Sequence, residues 1–375
     1  MKIAIPKESA DGEFRVAASP ETVKKLTREG ISVVVQTGAG VASDISDDQF
    51  LTAGAETAAD FHTTTEKADV ILKIQSPSAE EIKSLPKGAC LVCLMNARTD
   101  SKTLKAVAKA GVTCFAMELL PRISRAQNMD VLSSQSNLAG YKAVIDAVDA
   151  YKRAVPMMMT AAGMISPAQV LVLGAGVAGL QAIATAKRLG AVVTAFDVRP
   201  AVKEQVESLG AKFLEIEQIK QTETTGGYAK ELDEQSKKNQ EKALADILPK
   251  TDIVITTALI PGKKAPLLIT RDMLQSMKEG SVVFDLAAEQ GGNCYGTLYG
   301  KTENLYGITV LGQSNAASRL SASASPLFAK NLHNFIVPLI DKETLKLKID
   351  FDDEIYRASC VARNGEVLLK ENDDV

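Results

Sequence analysis

The sequence predicts an α/β protein of two Rossmann-like, doubly wound parallel-sheet domains with a cleft between them, and three observations predict it. Across residues 1–117, short apolar runs alternate with helix-period segments, the rhythm of a parallel sheet covered by helices. Residues 170–197 (VLVLGAGVAGLQAIATAKRLGAVVTAFD) read as strand, glycine turn, helix and second strand. A length of 375 residues, at about 100–200 per domain, makes two domains the default.

The elements follow in order. KIAIP (2–6) is a strand and 7–15 a polar loop with Glu8 and Arg15. Ser19-Pro20-Glu21 supplies a cap, a proline at the first helical position and an acid in the first turn, and Gly30 closes that helix. Strands at 31–36, 69–75, 89–94 and 112–117 are separated by helices near 47–53, 79–84 and 101–110. The polar stretch 118–137 breaks the rhythm and brings Arg122, Ser124, Arg125, Gln127, Asp130 and Ser133 together. A long helix over 136–151 carries the chain onward, and 156–167 leads into the glycine-rich unit.

After Asp197 come a helix (201–209), a strand (212–215) and a Thr/Gly/Lys/Gln-rich segment, 218–240, centred on Gly226-Gly227-Tyr228 and read as mobile. Strands at 252–256, 281–285 and 308–311 complete the second sheet, with a helix near 271–277. A helix over 325–340 opens on Ser325 as cap and Pro326 at its first position. In the tail, 357–362, then Asn364-Gly365, then 366–369 read as the two strands and turn of a hairpin. The expected domains are 1–135 with 325–375, and 136–324 inserted between them.

Composition excludes several classes. A net charge of -3 gives no basic footprint for nucleic acid. No apolar run approaches the roughly 18 residues of a membrane span, and the chain opens as a strand without the regions of a signal peptide, so a cytoplasmic location is expected. Five cysteines form no disulfide framework, and Cys90 and Cys93 lie in ACLVCL, where residues three apart face opposite sides. They are read as buried thiols, and no metal site is expected.

The glycine loop carries the chemistry. Gly174 permits the tight turn, Gly176 lets backbone approach a pyrophosphate, and Gly179 lets helix and strand pack closely, while the helix N-terminus offers free N–H groups to the anion. The structural alternative is a glycine turn that merely packs a helix on a sheet. Asp197, about 20 residues past the glycines, argues against it: an acid there is placed to bind an adenosine ribose. Its carboxylate favours NAD(H), since it would repel a 2′-phosphate, and Arg199 two residues later keeps NADP(H) open.

Six segments carry a family likeness: PRISRAQNMDVLSSQSNLAGY (121–141), MMMTAAG (157–163), GAGVAGLQAIATAKRLGA (174–191), ETTGGYAKE (223–231), TDIVITTALIPGK (251–263) and ASPLFAKNL (324–332). With them the chain resembles the NAD(H)-binding component, domain I of the alpha subunit, of proton-translocating nicotinamide nucleotide transhydrogenases. The wider superfamily includes alanine dehydrogenase, similar in Pro6-Lys7-Glu8, Arg15-Val16-Ala17, Ser19-Pro20-Glu21 and Glu289-Gln290-Gly291-Gly292.

The resemblance implies Re/Si-specific hydride transfer from NADH bound here to NADP+ on a partner chain, coupled to proton passage through a membrane domain on other chains. It implies a homodimer, attached peripherally to the inner membrane through partner subunits. Arg122, Gln127 and Asp130 would contact the nicotinamide and its ribose, with Ser133 beside them. Ala175, Gly176 and Val177 would line the pyrophosphate, and Asp197, Val198 and Arg199 would frame the adenosine ribose. Gly227 and Tyr228 would belong to a mobile closing loop, with Gln240 and Leu259 in its wall.

Two other functions stand beside this one. An alanine dehydrogenase-like enzyme needs a general acid/base near its substrate; the chain has two histidines, His62 and His333, both read as structural. Where alanine dehydrogenases place a histidine after the 89–94 strand, Met95 and Asn96 stand here, and Glu289 replaces their aspartate. Lys73 and Arg15 are read as an inherited remnant or as groups salt-bridged to nearby acids rather than as a substrate-carboxylate site. A catalytically silent nucleotide sensor is the third possibility. Hydride passing between two nicotinamides needs only positioning, so Gln127 and Asp130 are read as aligning groups and not as bases.

Overall fold

The computed structural model describes residues 1–216, 233–260 and 263–369. Its contacts divide the chain into two compact units, Met1–Gln135 with the chain from Ala317 on, and Ser136–Ala316.

In the first unit six parallel strands lie in the order Glu56–Ala58, Ser32–Gln36, Lys2–Ile5, Val70–Gln75, Cys90–Leu94, Thr113–Ala116. In chain order that is third, second, first, fourth, fifth, sixth, the doubly wound arrangement. Two antiparallel strands, Cys360–Arg363 and Glu366–Val367, extend the last edge. They are joined at Asn364 (φ 54°) and Gly365 (φ 86°), both left-handed as a tight hairpin of this hand requires. Apolar residues fill both faces: Cys90 belongs to one core layer and Cys93 to the other, so the two thiols point apart. Burial pushes the Cys90 thiol well above its ordinary value, which keeps it protonated and inert.

The second unit repeats the order with Lys212–Phe213, Val192–Phe196, Gln169–Leu173, Ile253–Thr256, Val282–Asp285, Ile308–Leu311, and adds Thr302–Leu305 antiparallel at the end. A separate hairpin, Met158–Thr160 with Gly163–Ile165, stands exposed on both strands. No helix among the described residues is long and apolar enough to cross a membrane.

Local signals were obeyed where they were strong. Ser19 caps the helix Pro20–Arg28 and shares a reciprocal capping box with Thr22. Three expectations fail. The long helix begins at Val131 and ends at Ala150, earlier than 136–151, because Asp130 accepts the Ser133 amide at 2.9 Å and satisfies a first-turn donor. The helix expected to open on Ser325 instead spans Ser321–Ile336 with Pro326 inside it. Ser325 caps nothing: its fully buried hydroxyl lies 2.8 Å from Ser43 Oγ and accepts the Val16 amide at 3.1 Å. Of the segment 218–240, read as mobile, residues 218–232 lie outside the described residues, and from Glu234 the chain is in the helix Glu234–Ile247, behind an Asp233 cap. The buried stripe of that helix is Ser236, Gln240 and Leu244, and two polar members of the stripe hid the period. Finally, residues 357–359 belong to the helix Glu354–Ser359 rather than to the strand, which begins at Cys360.

Candidate functional site

In the second unit, the buried strand Gln169–Leu173 ends at Gly174, whose φ of 100° suits glycine. A Cβ there would lie 2.4 Å from Thr257 Oγ1, and one on Gly179 would lie 1.8 Å from the Gly174 carbonyl oxygen. Both glycines are therefore demanded by protein packing alone. Gly176 differs. It has an ordinary extended backbone, φ -74° and ψ -167°, and a Cβ on it would meet nothing within 4 Å. Nothing among the described residues needs glycine there, whereas a ligand lying close against the backbone would.

Gly176 also stands at the head of the helix Val177–Arg188, where no side chain caps the first turn. The leading N–H groups are thus left for water or an anion. Ala175 is buried and Val177 exposed, so the amides of this turn border open space. An open approach beside an uncapped helix start fits a pyrophosphate.

Asp197, at the end of the strand Val192–Phe196 and 9% exposed, closes the loop: its Oδ2 accepts the Ala175 amide at 2.7 Å. Oδ1 accepts the Arg199 amide and Nε, each at 2.9 Å, and Arg199 Nη2 donates to Oδ2 at 2.8 Å. The four acceptor positions of the carboxylate are filled, so a ribose must exchange with the Arg199 side chain to reach it. Val198, partly buried, packs against the core layer that contains Leu171, Leu173 and Phe196.

The wall beyond the strand Ile253–Thr256 is fixed by two residues the sequence did not point to. Asn293, fully buried, donates to the carbonyls of Ala258 (2.9 Å) and Pro266 (2.8 Å) and accepts the Ala258 amide (3.1 Å). Asp285, also fully buried, accepts from Thr256 Oγ1, Thr297 Oγ1 and the amides of Ala287, Asn293 and Cys294. Periodicity marks neither; only the partners in space identify them. Leu259 is 38% exposed on this held segment, and Gln240 is buried on its helix. Gly227 and Tyr228 lie outside the described residues.

The first unit carries the rest. Residues 121–130 pass through the 3-10 segment Ser124–Met129, anchored by buried Ala126 and Met129, with Arg122 and Gln127 exposed. Asp130 receives both the amide and the hydroxyl of Ser133, so these two form one helix-starting turn. Within its own unit each group of expected residues is brought together: Gln127, Asp130 and Ser133 in one, the glycine loop and Asp197 in the other.

At the point where the first unit's strand order reverses, the position at which open α/β sheets take ligands, the chain places its own ions. Arg15 binds Glu13 through Nε (2.7 Å) and Nη2 (2.6 Å) and donates from Nη1 to Gln135 (2.8 Å). Lys73 Nζ lies 3.3 Å from Glu8 and 3.2 Å from Glu81. All these side chains are buried. Burial pulls the Lys73 ammonium down, but the Glu8 and Glu81 carboxylates together outweigh it and hold it above its usual range. Burial pushes the Glu8 carboxyl up, against the opposing pull of Lys73. A cavity of about 170 Å³ borders Glu8, Glu13 and Arg15.

Comparison with known proteins accords with this geometry. The family model described as Alanine dehydrogenase/PNT, N-terminal domain matches residues 4–139, and Alanine dehydrogenase/PNT, C-terminal domain matches residues 143–370. The chain is 54% identical to an NAD(P) transhydrogenase alpha-subunit chain of Rhodospirillum rubrum, over 98% of each. A crystal structure of transhydrogenase from Sinorhizobium meliloti superposes with a TM-score of 0.90 at 50% identity, covering 98% of this chain and 100% of the other. Alanine dehydrogenase of Halomonas elongata is 31% identical over 99% of this chain and 95% of its own length. Both halves match over nearly their whole length, and the chain belongs to the alanine dehydrogenase/PNT family, where NAD(P) transhydrogenase alpha subunits are among its full-length relatives.

Proposed function

We propose that this chain is the NAD(H)-binding subunit of a proton-translocating nicotinamide nucleotide transhydrogenase, which passes hydride from NADH to NADP+ held on a partner chain. The observation that carries the binding reading is Gly176: an unneeded glycine facing open space at an uncapped helix start. When bound, the dinucleotide supplies the redox chemistry. The amides of Gly176 and Val177 hold the pyrophosphate beside Ala175, whose own amide is taken by Asp197, and Asp197 with Val198 frames the adenosine ribose. The Asp197 carboxylate would repel a 2′-phosphate, which favours NAD(H). Arg122, Gln127 and Asp130, with Ser133, align the nicotinamide end; Tyr228 and Gly227 close over the nucleotide, beside Gln240 and Leu259. No side chain among them is asked to move a proton.

The alternative, an alanine dehydrogenase-like oxidation, needs cations for the substrate carboxylate. Here Arg15 and Lys73 are committed to Glu13, Glu8 and Glu81, and displacing a buried pair costs about 3–5 kcal/mol. That cost favours the transhydrogenase reading over amino-acid oxidation.

Partner chains would carry the NADP(H)-binding and membrane domains, with the present chain peripheral to the membrane on its cytoplasmic side. A homodimer is supported by the exposed hairpin, where Met157 (59%), Met159 (79%), Met164 (61%) and Ile165 (43%) offer apolar side chains to a partner surface. Met159→Asp with Met164→Asp should yield a monomer in sedimentation.

The test of function has three arms: titration with NADH and NADPH, assay with alanine and pyruvate, and transhydrogenation with the assembled partner chains. Preferential NADH binding with transfer to NADP+ is expected. Efficient alanine oxidation without transhydrogenation overturns the proposal.

A further inference from the structure

The turn that carries Gln127 is short, and few bonds from elsewhere hold it. Arg125 pairs with Asp353 through both guanidinium nitrogens, at 2.6 and 2.7 Å, but its side chain is 61% exposed, and pairs of that kind contribute little. The stronger hold comes from the helix Ser321–Ile336. Asn331 Nδ2 and Asn334 Nδ2 each donate to the Asn128 carbonyl at 2.9 Å, which fills both lone pairs of that oxygen. The two asparagines are three residues apart and so share one helix face.

Asn331 does more than hold one end. Its Oδ1 accepts the Ser134 hydroxyl at 2.8 Å, and Ser134 is the residue after Ser133 in the first turn of the helix Val131–Ala150. One buried amide, 9% exposed, therefore bonds simultaneously to the turn that carries Gln127 and to the helix start that carries Asp130 and Ser133. A buried amide costs free energy unless its polar atoms are paired, and an apolar side chain of the same volume would pack there without that cost. What the asparagine supplies and leucine would not is a fixed register between the two segments.

We propose that Asn331 is a positioning residue for hydride transfer, acting through the Asn128 carbonyl and the Ser134 hydroxyl to fix Gln127 against the Asp130–Ser133 turn. This rests on the aligning role proposed for Gln127. Asn334 supports the same carbonyl from one side only and contributes less. Because near-attack geometry is sensitive, a displacement of about 1 Å costs on the order of 100-fold in rate.

The test uses the full chain assembled with its NADP(H)-binding and membrane subunits. Asn331→Leu keeps volume and deletes both bonds; Asn331→Asp keeps the acceptor for Ser134 and removes the donor to Asn128. Transfer of deuterium from 4-deuterated NADH to NADP+ is followed by mass spectrometry, and NADH binding is measured by equilibrium titration. Both variants should slow transfer about 10- to 100-fold with NADH affinity nearly unchanged, and the primary isotope effect should rise as the chemical step becomes limiting. Combined with Gln127→Ala, Asn331→Leu should add little, because residues acting through one element are not additive. If Asn331→Leu fails to fold, Asn334→Ala removes a single donor and should give a smaller loss of the same kind. Wild-type transfer in the Asn331 variants, or a loss fully additive with that of Gln127→Ala, overturns the inference while leaving the function intact. A silent Gln127→Ala removes the aligning role itself and the inference with it.

Discussion

Gly176→Ala separates a glycine kept for the fold from one kept for a ligand. A Cβ at 176 meets nothing within 4 Å, and φ -74° with ψ -167° is open to alanine. Alanine is a poorer helix cap than glycine by up to about 1 kcal/mol, and the stiffer unfolded chain returns about 0.4–1 kcal/mol. The net change in stability should stay within about 1 kcal/mol, or roughly 2–4 °C in melting temperature. Binding should suffer more. The new methyl group holds the phosphate away from the amides, and each charge-assisted hydrogen bond lost is worth about 1.5–3 kcal/mol, roughly 10- to 150-fold in Kd. Gly179→Ala behaves oppositely, since its Cβ would fall 1.8 Å from a backbone oxygen and the helix must lift from the turn, at about 1–3 kcal/mol or more. Thermal unfolding and NADH titration of both variants give the answer. If Gly176→Ala binds NADH as the parent does, or melts as low as Gly179→Ala, the assignment of that open space to a pyrophosphate is wrong.

Three further outcomes are expected. Asp197→Asn should weaken NADH by about 10-fold, the worth of a hydrogen bond to a charged group, and should narrow the preference over NADPH by releasing Arg199 from its pair; unchanged selectivity in paired titrations would refute this. Glu13→Ala leaves Arg15 buried beside an empty place and should lower stability by about 3–5 kcal/mol, read by denaturant unfolding; a variant as stable as the parent would refute this. The Arg125 guanidinium holds the Asp353 carboxyl below the ordinary 3.8. A depressed carboxyl contributes stability that is complete above its unfolded value and lost as pH falls through the folded one. The melting difference between the parent and Asp353→Asn should therefore be constant near neutral pH and vanish on acidification below about pH 4.

Much of the framework was legible because it depends on local chemistry. Continuous apolar runs such as 170–173 have little choice but a buried parallel strand, and Asn364-Gly365 specifies its turn by backbone conformation alone. The glycine loop was legible for the same reason, down to the acid that closes it. Features that depend on distant partners were not. Glu56–Ala58 is a short, largely exposed edge strand with no apolar run to betray it. Ser325 resembles a cap because Pro326 follows it, yet its hydroxyl serves Ser43 and Val16. The stripe of Ser236 and Gln240 hid a helix by burying polar groups. At the site, Asn293, Asp285 and Asn331 matter through hydrogen bonds to residues as far as 203 positions away in the chain, which no periodicity encodes. Arg15 and Lys73 were visible as candidate cations, but whether Glu8, Glu13 and Glu81 would occupy them required coordinates.

The two units share one strand order, and each has a mouth where that order reverses. In one, backbone amides and a glycine leave room for a guest. In the other, three glutamates hold the two buried cations, so the charges of that mouth are paired within the chain. The same scaffold thus carries one mouth lined by backbone amides and one whose charges are neutralised by side chains of the chain itself, around sheets of the same order. On such a frame, a change of reaction partner requires new charges at one mouth and no new fold.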